Sequence, residues 1–527
     1  MADDQTDIGK RAKPKRKSKQ AVIVIHGMGE QVPMQTLRDF VDTTWVTDDD
    51  LISRGRPDTN TGVSPRTTNP VWSKPDERNR SYELRRITTE LPDGGLRTDF
   101  YEFYWAHLMH GTTWEHFKAW MVDLLWRSPK RVPKDVFSAW VALWIVTVIV
   151  AGVVLYSLLP VDDLRQCWAG KCDEASCDAE GLCWTWVAPV LGALFSLGVG
   201  GFVNVFLLKY FGDVARYVKA TPLNVARRQE IRDKGVELLD TLMGVDGFDF
   251  DSHPEDEPLP EFETEYDRII VVAHSLGTIV AYDILKHSFA RVHRFLNADP
   301  NAKQPNRHRL ERLLQETIAQ SGTLDIDAYR ELQTACLEEL QAEGNPWIVS
   351  DFVTLGCPLT HAEFLLAYDA ADMRAQQEQR ILPTCPPMLE FDRKTGGKHF
   401  SFWPLKRRTD DNDEEGEFFR FPHHAAHFAY TRWTNIYSRS KGILWGDLIS
   451  GPLGGHFDLS APGATLRGIL DIAVLPERDA CGKARGSVPF FTHTKYWNPE
   501  VRTGPNDSGP VPFHIERLRE AIKLIDR

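Results

Sequence analysis

The stretch "YDRIIVVAHSLGTIVAYDIL" (Tyr266–Leu285) places an apolar, β-branched run directly before one serine and an apolar helix-like pattern directly after it. A buried strand, a sharp turn and a covered helix follow from that pattern. Ser275 falls at the turn, within Ala273-His274-Ser275-Leu276-Gly277. A nucleophile elbow has this form: small residues two before and two after the serine let the backbone bend sharply and lift the hydroxyl to the top of the sheet. Alanine in place of the usual first glycine is the smallest departure. The five residues alone carry little weight; their position between a buried strand and an apolar helix makes Ser275 a candidate nucleophile rather than an ordinary turn serine.

An attacking serine needs donors for the oxyanion that develops on its substrate. The backbone N–H of Leu276, at the helix start, is one candidate. The second is expected from a turn after an earlier strand, and "KQAVIVIHGMGE" (Lys19–Glu30) supplies that strand and the turn His26-Gly27-Met28-Gly29. The N–H of Met28 is the expected donor there.

Further along, "RTDFYEFYWAHL" (Arg97–Leu108), "WIVSDFVTLGCPL" (Trp347–Leu359) and "RWTNIYS" (Arg432–Ser438) read as strands, and "PLNVARRQEIRDKGVELLDTLMG" (Pro222–Gly244) as a helix with proline in its first turn. Strands alternating with helices predict an α/β fold, a mostly parallel sheet with helices on both faces. In such sheets functional groups gather outside the carboxyl ends of the strands, where His26-Gly27, Ser275, Gly356-Cys357 and Ser438 fall.

The segments "VIHGMGE", "VVAHSLGTIVAYDIL", "FVTLGCPL" and "FFTHTKYW" together resemble the α/β-hydrolase superfamily, serine esterase and lipase type, over most of residues 20–110 and 220–500. The resemblance implies a triad in the order serine, acid, histidine, with the acid after the strand that follows "FVTLGCP". Asp447, in "KGILWGDLISGPLGG", and His493, in "FFTHTKYW", fit those places. Histidine would take the serine proton and return it to the leaving alcohol, while the carboxylate fixes its tautomer. Asp458 and Asp471 compete for the acid role and His456 for the base; "GGHFD" is glycine-flanked and a candidate to line the site. His423, His424 and His427 precede the acid, lack a nearby carboxylate to complete a ligand set and are not read as a metal site. No cofactor and no metal are implied.

Two charge-free runs interrupt this pattern, "VFSAWVALWIVTVIVAGVVLYSLL" (Val136–Leu159) and "VAPVLGALFSLGVGGFVNVFLL" (Val187–Leu208). About 20 apolar residues cross a bilayer, so the expectation is an α/β-hydrolase interrupted by a transmembrane helical hairpin. Lys118, Arg127, Lys130, Arg131 and Lys134 precede the first run, and Lys209, Arg216, Lys219, Arg227 and Arg228 follow the second. The loop 160–186 has two basic residues against six acidic ones. Positive charge marks the cytoplasmic side, so the catalytic domain and both termini are expected there and the loop outside. Trp140, Trp144, Trp184 and Trp186 suit interfacial anchoring. Four of the eight cysteines, Cys167, Cys172, Cys177 and Cys183, lie in that loop, which fits two disulfides of open pairing; a four-thiolate zinc site competes, but no C-x-x-C pair is present. Cys336, Cys357, Cys385 and Cys481 are expected reduced and structural. "GVGGF" (Gly198–Phe202) allows close helix contact and self-association through the hairpin.

The resulting organisation is a basic disordered tail (1–20), a first hydrolase part (21–110), the hairpin with flanking helices (111–220) and a second hydrolase part (221–527) with a cap or lid region at 359–430. A net charge of −12 gives no push toward nucleic acid. The basic tail "KRAKPKRKSKQ" (Lys10–Gln20) and "KHFSFWPLKRR" (Lys398–Arg408) are suited to an anionic membrane surface. The expected function is a membrane-anchored serine hydrolase cleaving carboxylic esters, with a lipid acyl ester as substrate. An acyltransferase or thioesterase with the same triad, a peptidase, and a catalytically idle membrane sensor or scaffold are the alternatives.

Overall fold

Lys19–Ile25, rich in β-branched residues, forms strand β1 and is buried from Gln20 onward. The computed structural model describes residues 19–109, 126–132, 217–218, 222–293, 304–402, 421–439, 446–476, 492–497 and 511–525, apart from 29–31, 52–55, 60, 65, 80–82, 93–94, 251, 254–258 and 394, with helical positions scattered between 137 and 152. After β1 come α1 (Gln35–Val41), β2 (Val71–Pro75), β3 (Arg85–Thr89) and β4 (Arg97–Phe103). The chain continues through α2 (Pro222–Met243), β5 (Arg268–His274), α3 (Leu276–Val292), α4 (Pro305–Ala319), α5 (Ile326–Ala342) and β6 (Val349–Leu355). It closes with α6 (Ala370–Glu378), β7 (Arg432–Tyr437), β8 (Leu470–Ala473) and α7 (Phe513–Ile522).

Eight strands make one sheet in the order β8-β7-β6-β5-β1-β4-β3-β2. All neighbours from β8 to β4 are parallel, and β4-β3-β2 is an antiparallel edge. The parallel centre agrees with the sequence expectation, while β2, β3 and β8 carry no such signal: they are runs of four or five residues, and β2 and β3 are largely polar. β4 was read from its alternation, yet six of its seven residues are buried because helices cover both faces.

Alternate residues of the central strands serve opposite faces. Ile23, Ile25, Val271 and Ala273 join the core under α2 and α3. Val22, Val24, Ile270 and Val272 join a second core with Phe40 of α1 and Leu518 and Ile522 of α7. The C-terminal helix is also tied to β1, since Gln20 Nε2 donates to the Leu524 carbonyl at 2.7 Å. In the cap region, residues 362–365 and α6 are helical, and two short ribbons pair 390–391 with 398–399 and 401–402 with 421–422.

Among the described residues no helix is long and apolar enough to cross a membrane. Most of the first charge-free run, all of the second, the loop with its four cysteines, and residues 1–18 and 403–420 lie outside the described residues. Cys336, Cys357 and Cys385 are buried and unbridged, as expected; Cys481 lies outside the described residues.

Candidate active site

β5 ends at His274 and α3 begins at Leu276, so Ser275 alone makes the turn, at φ 52° and ψ −132°. A residue with a β-carbon is strained there, and the surrounding hydrogen bonds hold it. Ser275 N–H donates to the Leu355 carbonyl of β6 at 3.0 Å, and its own carbonyl accepts from Thr278 N–H and Oγ1 at 2.9 and 2.7 Å. Gly277 is required by contact with a neighbouring strand: a β-carbon there would stand 2.3 Å from the His26 carbonyl oxygen and 2.8 Å from that of Ile25. The small residue after the serine thus lets α3 start against the end of β1.

Three side chains from distant parts of the chain meet at this point. His493 Nε2 lies 2.7 Å from Ser275 Oγ, and His493 Nδ1 lies 2.9 Å from Asp447 Oδ2. With Nδ1–H donating to the carboxylate, Nε2 is left to accept the serine proton. Gly356, at φ 59° after β6, makes room for this ring: a β-carbon would come within 3.1 Å of His493 Cε1 and Nδ1 and 2.8 Å of Tyr496.

Asp447 is 2% exposed and has several donors besides His493. Tyr496 Oη–H donates to Oδ2 at 2.7 Å, and Ile449 N–H donates to Oδ1 at 2.9 Å. Burial by itself raises this carboxyl, but the charge and hydrogen bond of His493, with hydrogen bonds from Ser450 and Tyr496, outweigh it and hold the group below the ordinary carboxylate range. Tyr496 in turn accepts from Ser438 N–H at 3.0 Å and bonds Ser450 Oγ at 2.8 Å. It links the end of β7 to the acid.

The rival carboxylates are engaged elsewhere. Asp471 accepts from Asn435 Nδ2, Leu453 N–H and Gly454 N–H, and so shapes the 451–454 turn. Asp458 pairs with Arg374 at 2.6 Å, and the His456 carbonyl accepts from Gln377. Sequence alone could not separate them, because all three follow β7 within a few dozen residues. His423 faces Glu390, while His427 is fully buried against Phe289 and Phe428. Among the described residues no cluster of histidine, cysteine and carboxylates could hold a metal.

The two expected oxyanion donors come from adjacent strand ends. Leu276 is the first residue of α3, where a backbone N–H has no partner in a preceding turn. Met28 follows Gly27, whose β-carbon position lies only 2.8 Å from Ser275 Cβ. His26 shapes that loop: its Nδ1–H donates to the Gly27 carbonyl at 2.7 Å, while Nε2 accepts from Trp105 N–H at 3.1 Å. The ring stacks on Trp105 at 5.2 Å, and burial lowers it to about 4, so it stays neutral with its tautomer fixed.

His274 carries no sequence signal for its role, since the position before the serine is unrestricted in the motif. Its Nε2–H donates to the His493 backbone carbonyl at 2.7 Å. Burial foremost, then His493, lowers it to about 3. A neutral ring on β5 therefore fixes the backbone that carries the base. His274→Ala is expected to reduce turnover about tenfold or more, as loss of one buried hydrogen bond, ~1–2 kcal/mol, loosens the base. Stopped-flow acylation would check it; an unchanged acylation rate in a folded variant would remove His274 from this role.

Ser275 is 1% exposed. Chemically, the arrangement can deprotonate a hydroxyl, orient the base and present backbone donors to a forming oxyanion. No family model matches the chain, and no curated protein or solved structure matches it.

Proposed function

We propose that the chain is a serine hydrolase of α/β-hydrolase type that cleaves carboxylic esters through an acyl-enzyme, anchored in a membrane by a helical hairpin. The observation that carries this reading is the continuous hydrogen-bond chain Ser275–His493–Asp447, built on a strained serine at a strand-to-helix turn. Ser275 Oγ attacks the acyl carbon while His493 Nε2 takes its proton. The oxyanion sits at the N–H groups of Met28 and Leu276. Collapse expels the alkoxide, which leaves as the alcohol with the proton from His493, and water then releases the acid by the same steps in reverse.

Membrane anchoring rests on the two charge-free runs and the basic residues that flank them. Within the first run, the described positions are helical, and Ile145, Val148 and Ile149 are 55%, 60% and 47% exposed, an apolar surface suited to lipid. In this arrangement both termini and the Ser275 site face the cytoplasm, and loop 160–186 faces outward. A site held beside a bilayer favours a lipid acyl ester over a soluble one.

The test compares hydrolysis of a monomeric ester and a bilayer-presented ester of equal chain length by unlabelled protein, with a separate sample labelled by a fluorophosphonate. Labelling at Ser275 and faster turnover of the bilayer ester are expected. Equal turnover of both esters would reduce the reading to a general esterase, and absence of labelling would end it.

A further inference from the structure

A cavity of about 450 Å³ lies along α3, walled by α2, by the segment before the first charge-free run, by the segment after the second and by the cap region. Its volume is that of a small-ligand site. One wall is cationic: Arg127, Arg228, Arg232 and Lys286 line it with a single carboxylate, Asp283. That carboxylate is fully engaged. Arg232 Nε donates to it at 3.0 Å, Lys286 Nζ at 3.1 Å and Tyr217 Oη–H at 3.1 Å.

Arg228 has no such partner. Among the described residues no carboxylate pairs with it, its Nε is buried without a hydrogen bond, and its guanidinium faces only the Tyr217 ring at 5.8 Å. Burial foremost, then the neighbouring Arg232, works against its charge, and Asp283, already bonded to Arg232, Lys286 and Tyr217, offsets this only in part. A cation kept in such a place lacks the anion that would repay its desolvation. Arg127 points into the same space while its Nη1–H donates to the Phe364 carbonyl at 2.8 Å and its guanidinium covers the Phe364 ring at 4.5 Å.

The lining also includes the apolar side chains Ile279, Leu365, Leu366 and Leu382. Arg127 and Tyr217 each stand nine residues outside the two charge-free runs, so the lining is close in sequence to both. A compact dianion with several acceptor oxygens matches convergent guanidinium groups, and the apolar side chains of the lining suit an attached chain.

Resting on the membrane-anchored reading above, we propose that this cavity binds the terminal phosphate of a phosphomonoester lipid, a dianionic headgroup of the phosphatidic acid type that phosphatidylcholine lacks, held by Arg127 and Arg228. The full-length chain carrying Ser275→Ala, so that nothing is turned over, is placed in nanodiscs of phosphatidylcholine alone or with phosphatidic acid. Phosphatidic acid is expected to raise the unfolding temperature, and inorganic phosphate in phosphatidylcholine nanodiscs to have little effect. Arg228→Gln is expected to weaken the phosphatidic acid response about tenfold or more, ~1.4 kcal/mol, with the unfolding temperature in phosphatidylcholine alone unchanged. Arg127→Gln provides a second variant should Arg228→Gln not fold. No response to phosphatidic acid, or an undiminished response in both variants, would overturn the site. Equal stabilisation by inorganic phosphate, lost in Arg228→Gln, would support the phosphate site and overturn a lipid as its source.

Discussion

Ser275→Ala is expected to lower ester turnover by about 10⁶, the usual cost of removing a triad nucleophile, and to abolish fluorophosphonate labelling. The size follows from the geometry. Ser275 Oγ is the only hydroxyl bonded to His493 Nε2 among the described residues, at 2.7 Å, so no neighbouring group inherits the proton transfer. His493→Ala should cost a similar factor, because the acid Asp447 cannot reach the serine itself and contacts the ring at Nδ1. Asp447→Asn should be milder, about 10⁴: the amide keeps a contact to His493 but no longer favours the tautomer with Nδ1–H. The effects should not add, since each step depends on the whole chain of bonds. Turnover of a short acyl ester by the three variants checks the series. Activity that survives Ser275→Ala would sink the proposed chemistry and favour an idle fold serving as a sensor or scaffold.

Stability is expected to fall steeply as pH drops from about 6.5 to about 4.5. Burial foremost lowers His26 to about 4 and His274, His423 and His427 each to about 3. These rings stay neutral in the folded chain, whereas in the unfolded chain each protonates near the ordinary value of about 6.5. Unfolding therefore takes up protons in this window, and stability present at neutral pH is lost as pH falls. Acids oppose the trend: burial raises Glu102 to about 7 and Asp240 to about 6, so the folded chain holds protons there that the unfolded chain releases. These six groups by themselves leave about two protons taken up on unfolding, a slope of ~3 kcal/mol per pH unit; smaller shifts, downward at His287 and His424 and upward at Asp39, Asp42 and Glu339, act in opposite directions. Thermal unfolding in detergent across this range checks it. An unfolding temperature that stays flat from pH 7 to pH 5 would show that these histidines are not neutral and buried in the folded protein.

Local order determined much of this protein directly from its sequence. β1, β5, β6 and β7 announce themselves as β-branched runs, and the serine turn is legible because strand, small residues and apolar helix are contiguous from Tyr266 to Leu285. Leu276 and Met28 stand as the proposed oxyanion donors on equally local grounds, Leu276 one residue beyond the serine turn and Met28 within the turn after β1. Choosing among Asp447, Asp458 and Asp471, and between His456 and His493, required the resemblance to a family order. In the fold it is decided by which loops the parallel strands bring to one end of the sheet. That decision is tertiary: Gly356 after β6 leaves room for the His493 ring, Tyr496 and Ile449 hold Asp447 in place, and Arg374 and Asn435 draw the rival carboxylates away. The role of His274 had no local signature either, because its partner is a backbone carbonyl 219 residues away. Sequence periodicity carries contacts between near neighbours; the pairing of distant side chains is set by strand order and by which loops can reach the serine.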